Sequence, residues 1–286
     1  MVYVVTGAGG QVGREVVDRL QAQKLPFRAF DKAGLDIADT ASVHRALGSD
    51  VSVLINCAAY TAVDAAETDR EGAWRVNAIG PSVLAKLCAD AGVRLVHVST
   101  DYVFDGRGHE PYAETDDVAP QTVYGESKLA GERAVQIAHP DGSYVMRTAW
   151  VYGEHGSNFV KTMLNLAATR ETVSVVTDQV GQPTWAGDIA DALLALAAAD
   201  ADVVKPGVYH YTSAGACSWF EFAQEIFRLA GLDVARVLPT TSAEFVRPAQ
   251  RPAHSVLSHD KWLAAGLPAM REWREALVAS GVIAAN

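Results

Sequence analysis

Within thirteen residues the chain passes from a β-branched run, 2–6, through Gly7-Ala8-Gly9-Gly10-Gln11-Val12-Gly13 and into an amphipathic helix pattern. Glycine permits the tight turn, lets the backbone approach a pyrophosphate and allows the helix to pack on the strand. The helix N-terminus then offers unpaired N–H groups and a partial positive charge to phosphates. The spacing of Gly7, Gly10 and Gly13 is weak evidence by itself and is also compatible with a ligand-free loop. Its place between a buried strand and its helix gives it weight.

The same alternation continues. Short Val/Ile/Leu runs at 26–31, 51–57, 93–99 and 143–148 are separated by helical patterns near 11–22, 40–48, 67–91 and 122–138. Near-continuous apolar strands are those buried on both faces. Their alternation with helices predicts right-handed βαβ units. The expected fold class is therefore α/β, a doubly wound parallel-sheet Rossmann lobe with a smaller C-terminal substrate lobe. Asp39 or Thr40 would cap the second helix, and Gly92 stands where a helix C-cap belongs. Beyond Tyr152 the pattern loosens into helices near 157–169, 186–199, 218–230 and 269–280. The stretch 207–213 reads as a strand that returns to the sheet. The expected division is 1–152 plus about 184–212 for the dinucleotide lobe, and about 153–183 plus 213–286 for the other.

With 286 residues, 49% of them hydrophobic, the chain can bury a full core without a disulfide or metal staple. Cys57, Cys88 and Cys217 form no CxxC and suggest neither zinc nor a disulfide framework. The net charge of −10 disfavours nucleic acid or an anionic membrane as partner. An anionic substrate would need a local cationic cluster, and Arg247 with Arg251 form the main one in the C-terminal region. No signal-like leader is evident, and the apolar stretch 192–199, between Asp191 and Asp200, is too short to span a bilayer. A cytoplasmic location is expected.

Asp31 falls at the end of the second strand, where a carboxylate can accept bonds from the adenosine ribose of NAD and repel the 2′-phosphate of NADP. Arg28 and Lys32 nearby could soften that repulsion, and an ordinary loop Asp is the alternative. Tyr124-Gly125-Glu126-Ser127-Lys128 puts a phenol and an ammonium four apart on one helix face. The ammonium would lower the phenol's pKa and hold the nicotinamide ribose, while Thr100 hydrogen-bonds the same substrate oxygen as Tyr124. A ketone gripped by two hydroxyls could then accept hydride. Trp150, at the end of the fifth strand, could stack on a sugar or pack between lobes.

The ordered set Gly7-x-x-Gly10-x-x-Gly13, Asn56-Cys57-Ala58-Ala59, Ser99-Thr100-Asp101 and Tyr124-x-x-x-Lys128 resembles the extended short-chain dehydrogenase/reductases. Longer strings run through most of the chain. They are Asn56 to Asp64, Ser99 to Gly106, Tyr124 to Glu132, Arg147 to Tyr152, Asn158-Phe159, Asp178 to Thr184 and Arg251-Pro252. Within that superfamily they resemble the family of dTDP-4-dehydrorhamnose reductases. The resemblance implies reduction of the C4 ketone of dTDP-6-deoxy-L-lyxo-4-hexulose to dTDP-L-rhamnose with NADH or NADPH. Carried over by residue, Gly7, Gly10, Gln11, Val12 and Gly13 would meet the cofactor phosphates, and Asp31, Asp36 and Ile37 its adenosine end. Ala58, Ala59, Tyr60 and Thr61 would lie along it. Tyr124 would be the proton donor, with Lys128 as its partner. Thr100, Asp101, Tyr102, Trp150, Asn158 and Arg251 would meet the dTDP-sugar. Some members are magnesium-linked homodimers; the sequence supplies no metal-ligand cluster in support of the magnesium. The same motifs would serve a sister 4-ketoreductase, while a sugar-nucleotide epimerase shares only the glycine turn and YxxxK. A non-catalytic subunit similar to the regulatory subunit of methionine adenosyltransferase would not need Thr100, Tyr124 and Lys128 intact.

Overall fold

The computed structural model describes residues 1–284. Six parallel strands form the central sheet: β1 Val2–Thr6, β2 Phe27–Phe30, β3 Val51–Asn56, β4 Arg94–Thr100, β5 Ser143–Thr148 and β6 Gly207–His210. Their spatial order is β2-β1-β3-β4-β5-β6. The connection from β2 to β3 therefore passes β1 and reverses the direction in which strands are added. Ligands of doubly wound sheets bind at the carboxyl ends of the strands beside such a reversal.

Side chains alternate across the sheet and fill a core on each face. Val5, Ile55 and Met146 pack against helices Gln11–Ala22 and Ala186–Ala198. Val4, Leu54 and Val145 pack against Thr40–Ala46, Gly80–Ala91 and Val123–Ala138. Neither face meets water, which is why the strands read as continuous apolar runs. Asp39 caps the Thr40–Ala46 helix by accepting from the Ala41 amide at 3.0 Å. Gly92, at φ 65°, closes Gly80–Ala91 in the left-handed region.

The long helix expected over 67–91 is broken. It forms Arg70–Trp74, a π-helical turn Arg75–Ile79, and Gly80–Ala91. Pro81 has no N–H to give and sits in the first turn of the last piece, where none is needed. The π turn directs Asn77 into the protein, where it is fully buried.

A further core gathers Tyr152, Met163, Phe222, Phe227 and Trp273 between helices Phe159–Thr169, Trp219–Leu229 and Trp273–Ala279. Short strand pairs brace it, among them Val173–Val176 with Val237–Thr240 and Val180–Gly181 with Cys217–Ser218. Ser218 and Glu221 form a reciprocal capping box at the start of the Trp219–Leu229 helix. Among the described residues, no helix is long and apolar enough to cross a membrane. None of their His, Cys, Asp and Glu side chains form a metal-holding group of three or more.

Candidate active site

The glycine turn is built by exclusion. Gly7 has φ +69°, and a Cβ there would lie 2.5 Å from the Ala58 nitrogen. A Cβ on Gly13 would lie 2.2 Å from the Gly7 oxygen. Turn, helix and the loop after β3 thus touch backbone to backbone. The Gln11–Ala22 helix has no side-chain cap, so its first N–H groups remain available to an anion. Asn56 fixes the neighbouring loop. Its Oδ1 accepts from Thr6 Oγ1 at 2.6 Å and from the Ala58 amide at 3.1 Å, and its Nδ2 lies 2.9 Å from His97 Nδ1.

A cavity of about 710 Å³ opens over the ends of β1, β2 and β3, lined by Gly7, Gly10, Asp31, Asp36, Ile37 and Ala58 to Tyr60. Gln11, Val12, Gly13 and Thr61 flank this cavity rather than line it. Its size, its glycine floor and the uncapped helix suit a dinucleotide. Asp31 Oδ1 accepts from the Ala33 and Gly34 amides at 2.9 and 3.0 Å. Arg28 turns away from this wall to pair with Asp50 at 2.7 Å. The cations on the wall are Lys32 and Arg75, and Arg75 pairs with Asp36 at 2.6 Å. No sequence motif marked Arg75; the π turn places it there.

At the end of β4 stands Thr100, and beside it the Val123–Ala138 helix, capped by Thr122 at 3.0 Å from the Gly125 amide. Thr100, Tyr124 and Lys128 are 5%, 9% and 2% exposed. Lys128 Nζ donates to the Val98 carbonyl at 2.7 Å. Burial lowers the Lys128 ammonium to about 8, against the pull of Glu132 and Cys57. Burial pushes the Tyr124 phenol up to about 12, with a Thr100 hydrogen bond opposing. This reverses the expected direction: desolvation of the phenolate, with the Asp101 carboxylate adding to it, keeps Tyr124 a protonated donor. The buried Arg147–Glu132 pair, at 2.7 Å, ties the same helix to β5. Burial also pushes the Cys57 thiol up to about 12, so it packs rather than reacts.

On the other side of Tyr124, a small cavity of about 80 Å³ is lined by Tyr102, Gln121, Thr122, Arg251 and Pro252. The Tyr102 ring meets Tyr124 edge-on, with centroids 5.4 Å apart. Arg251 pairs with Asp64 at 2.8 Å, and Arg247 reaches the same carboxylate at 3.5 Å. The C-terminal basic spot therefore exists, and Asp64, absent from the sequence reading as a site residue, holds it. Trp150 lies face to face on Trp219, with centroids 3.5 Å apart, and has the strained φ of 45°. One face of its ring is thereby covered. Asn158 commits its amide within the protein, donating to Gln11 Oε1 at 3.2 Å and Gly153 O at 2.8 Å while capping the Phe159–Thr169 helix.

The same architecture and sequence recur in known proteins. A dTDP-4-dehydrorhamnose reductase of Streptomyces griseus is 49% identical over 97% of this chain and 92% of its own length. The crystal structure of a dTDP-4-dehydrorhamnose reductase from Clostridium acetobutylicum superposes with a TM-score of 0.94 at 43% identity, covering 100% of both chains. One from Bacillus anthracis, in complex with NADP, gives 0.92 at 39% identity over 98% of each. The family described as RmlD substrate binding domain matches residues 1–282, and the chain belongs to it.

Proposed function

We propose that the chain is an NAD(P)H-dependent oxidoreductase that reduces the C4 ketone of dTDP-4-dehydro-L-rhamnose to dTDP-L-rhamnose. The observation that carries this is the buried Thr100–Tyr124–Lys128 group, which neighbours the dinucleotide-sized cavity through Cys57 and the cavity carrying Arg251 through Tyr102. The nicotinamide supplies hydride when bound. Gly7, Gly10 and the uncapped helix hold its phosphates, Asp31 and Asp36 face its adenosine end, and Ala58 to Tyr60 run beside it. As hydride reaches C4, the carbonyl π bond breaks and charge grows on oxygen. Tyr124 gives that oxygen its proton, and Lys128 stabilises the phenolate left behind. Thr100, Asp101 and Tyr102 line the sugar side, and Arg251 meets the diphosphate. Trp150, stacked on Trp219 with Gly181 packed close against its ring, would meet the sugar by what remains exposed, and Asn158 supports the site through Gln11. The family resemblance further supports a homodimer working in the cytoplasm, and sedimentation of the purified protein tests the dimer.

The test is turnover of dTDP-4-keto-L-rhamnose with NADH and with NADPH, with the product's C4 configuration assigned by NMR. Oxidation of cofactor without added ketone, or a product other than dTDP-L-rhamnose, would overturn the assignment.

A further inference from the structure

Thr100 has one hydroxyl hydrogen and more than one group that calls for it. Its Oγ1 donates to Asp101 Oδ1 at 2.9 Å, accepts from the Tyr102 amide at 3.2 Å, and faces the Tyr124 phenol. A hydroxyl offers one donor and two lone pairs. Thr100 therefore cannot donate to Asp101 and, at the same time, to a ketone oxygen held against Tyr124.

The form of Asp101 decides between these bonds. An ionised carboxylate only accepts, so it takes the Thr100 hydrogen. The Thr100 hydrogen is then withheld from Tyr124 and from a ketone oxygen held beside it. A protonated Asp101 donates to Thr100 Oγ1 instead. With the Tyr102 amide, that fills both Thr100 lone pairs, and the Thr100 hydrogen turns into the site.

Asp101 is placed to exist in either form. It is 3% exposed, and its Oδ2 is buried without a hydrogen-bond partner. The groups facing it are Thr100, Tyr102 and Tyr124, with Ser255 from the C-terminal region. Among the described residues no Arg, Lys or His pairs with it. The cation on this side, Arg251, is engaged by Asp64.

We infer that Asp101 is a positioning residue that sets the direction of the Thr100 hydrogen, its acid form presenting that hydrogen to the ketone oxygen beside Tyr124. This rests on the ketone-reduction reading. Burial pushes the Asp101 carboxyl up to about 6, against hydrogen bonds from Ser255 and Thr100, so both forms fall within the range of an ordinary assay.

The experiment has two arms. In the first, kcat/KM for the 4-keto sugar nucleotide is followed from pH 5 to 8.5 at saturating cofactor, in the wild type and in Asp101→Asn. The Asn amide donates to Thr100 at every pH. The wild type should lose about fivefold or more as pH rises through Asp101's titration, and the variant should vary less than about twofold through that window. In the second arm, the protein is labelled with carboxyl-13C aspartate, and the resonance missing from Asp101→Asn is titrated without substrate. It should titrate near pH 6 and move upward in Thr100→Val, where the bond to the ionised form is lost. Retention of the wild-type pH limb in Asp101→Asn, or an Asp101 resonance indifferent to Thr100→Val, would overturn the inference. A wild type that reduces no 4-keto sugar nucleotide sinks the functional reading instead, and the NMR arm still decides the Asp101–Thr100 coupling.

Discussion

Asn77 grips the backbone of Tyr60 from both sides: its Oδ1 accepts from the Tyr60 amide at 2.8 Å, and its Nδ2 donates to the Tyr60 carbonyl at 3.0 Å. The same Nδ2 reaches Ser127 Oγ at 3.1 Å, next to Lys128. One buried amide thus couples the loop beside the large cavity to the helix of Tyr124 and Lys128. Asn77→Ala leaves several polar groups without this partner, at about 1–3 kcal/mol for each one that stays dry. The expected result is a loss of about 2 kcal/mol in urea unfolding and roughly tenfold weaker NADH binding by calorimetry. Asn77→Asp keeps the acceptor but buries a carboxylate against the Tyr60 carbonyl, and at neutral pH should be at least as destabilising as Asn77→Ala.

Tyr124→Phe keeps the ring edge against Tyr102 but removes the proton. Because burial holds the phenol protonated to about 12, the donor form is complete throughout the assay range. The variant should lose about 10²–10⁴-fold in kcat, with NADH affinity changed less than about threefold. Near-normal single-turnover reduction by Tyr124→Phe would remove it from the mechanism.

The wall of the large cavity carries opposed charges that would set cofactor choice. The Asp31 carboxylate disfavours a 2′-phosphate, while Arg75 and Lys32 on the same wall attract one. Asp31→Ala should raise the NADPH/NADH ratio of kcat/KM, and Arg75→Ala should lower it, each by roughly tenfold. Asp36→Asn frees Arg75 from its pair at 2.6 Å and should raise the ratio. Unchanged ratios in all three would place the adenosine end elsewhere.

Much of this was readable before any coordinates, because each strand's apolar run and each glycine of the turn reports a local requirement. Gly7 must adopt φ +69° against Ala58, and Tyr124 and Lys128 need only helical spacing to share a face. What stayed hidden depends on partners distant in sequence. Asn77 looked like one residue of a long helix, and only the π turn turns it inward. Arg75, Asp64 and Trp219 become site neighbours through contacts with Asp36, Arg251 and Trp150. Strands of two residues, such as Thr184–Trp185, are too short to leave a periodicity. The phenol's direction was misjudged for the same reason, since spacing shows a nearby ammonium and not the depth of burial.

Asp101 makes stability depend on pH with a definite sign. Its folded value of about 6 lies above the ordinary 3.8, so the folded state holds the proton more tightly than the unfolded chain. The stabilisation is full below the unfolded value and is lost as pH rises through about 6. That displacement corresponds to roughly 3 kcal/mol. Asp101→Asn should therefore be more stable than wild type at pH 8 by up to about 3 kcal/mol, with the gap closing toward pH 4. Urea midpoints at the two pH values check it. A constant gap would mean that the carboxyl titrates alike in both states.

In a chain of net charge −10, a diphosphate needs a local cation, and Arg251 is half-buried beside Tyr102 and Thr122. Asp64 fixes its guanidinium at 2.8 Å, and Arg251 also donates to the Ala249 carbonyl at 3.0 Å. Burial alone would raise the Asp64 carboxyl, but the Ala249 amide, Arg251 and Arg247 together hold it below the usual range. The pair is therefore intact at neutral pH, and it would offer a diphosphate an arginine already oriented. A charge-assisted contact contributes about 1.5–3 kcal/mol, so Arg251→Ala should weaken dTDP binding by roughly ten- to a hundredfold. Substrate and transition state share the diphosphate, so the loss should appear in KM and leave kcat nearly unchanged. NADH affinity should hold, because the glycine turn lies on the other side of Tyr124. Asp64→Asn keeps the charge of Arg251 but loosens its orientation, and its rise in KM should be smaller and more sensitive to salt. Calorimetry with dTDP and NADH on both variants separates the outcomes: a loss confined to NADH, or none for either ligand, removes Arg251 from the substrate site.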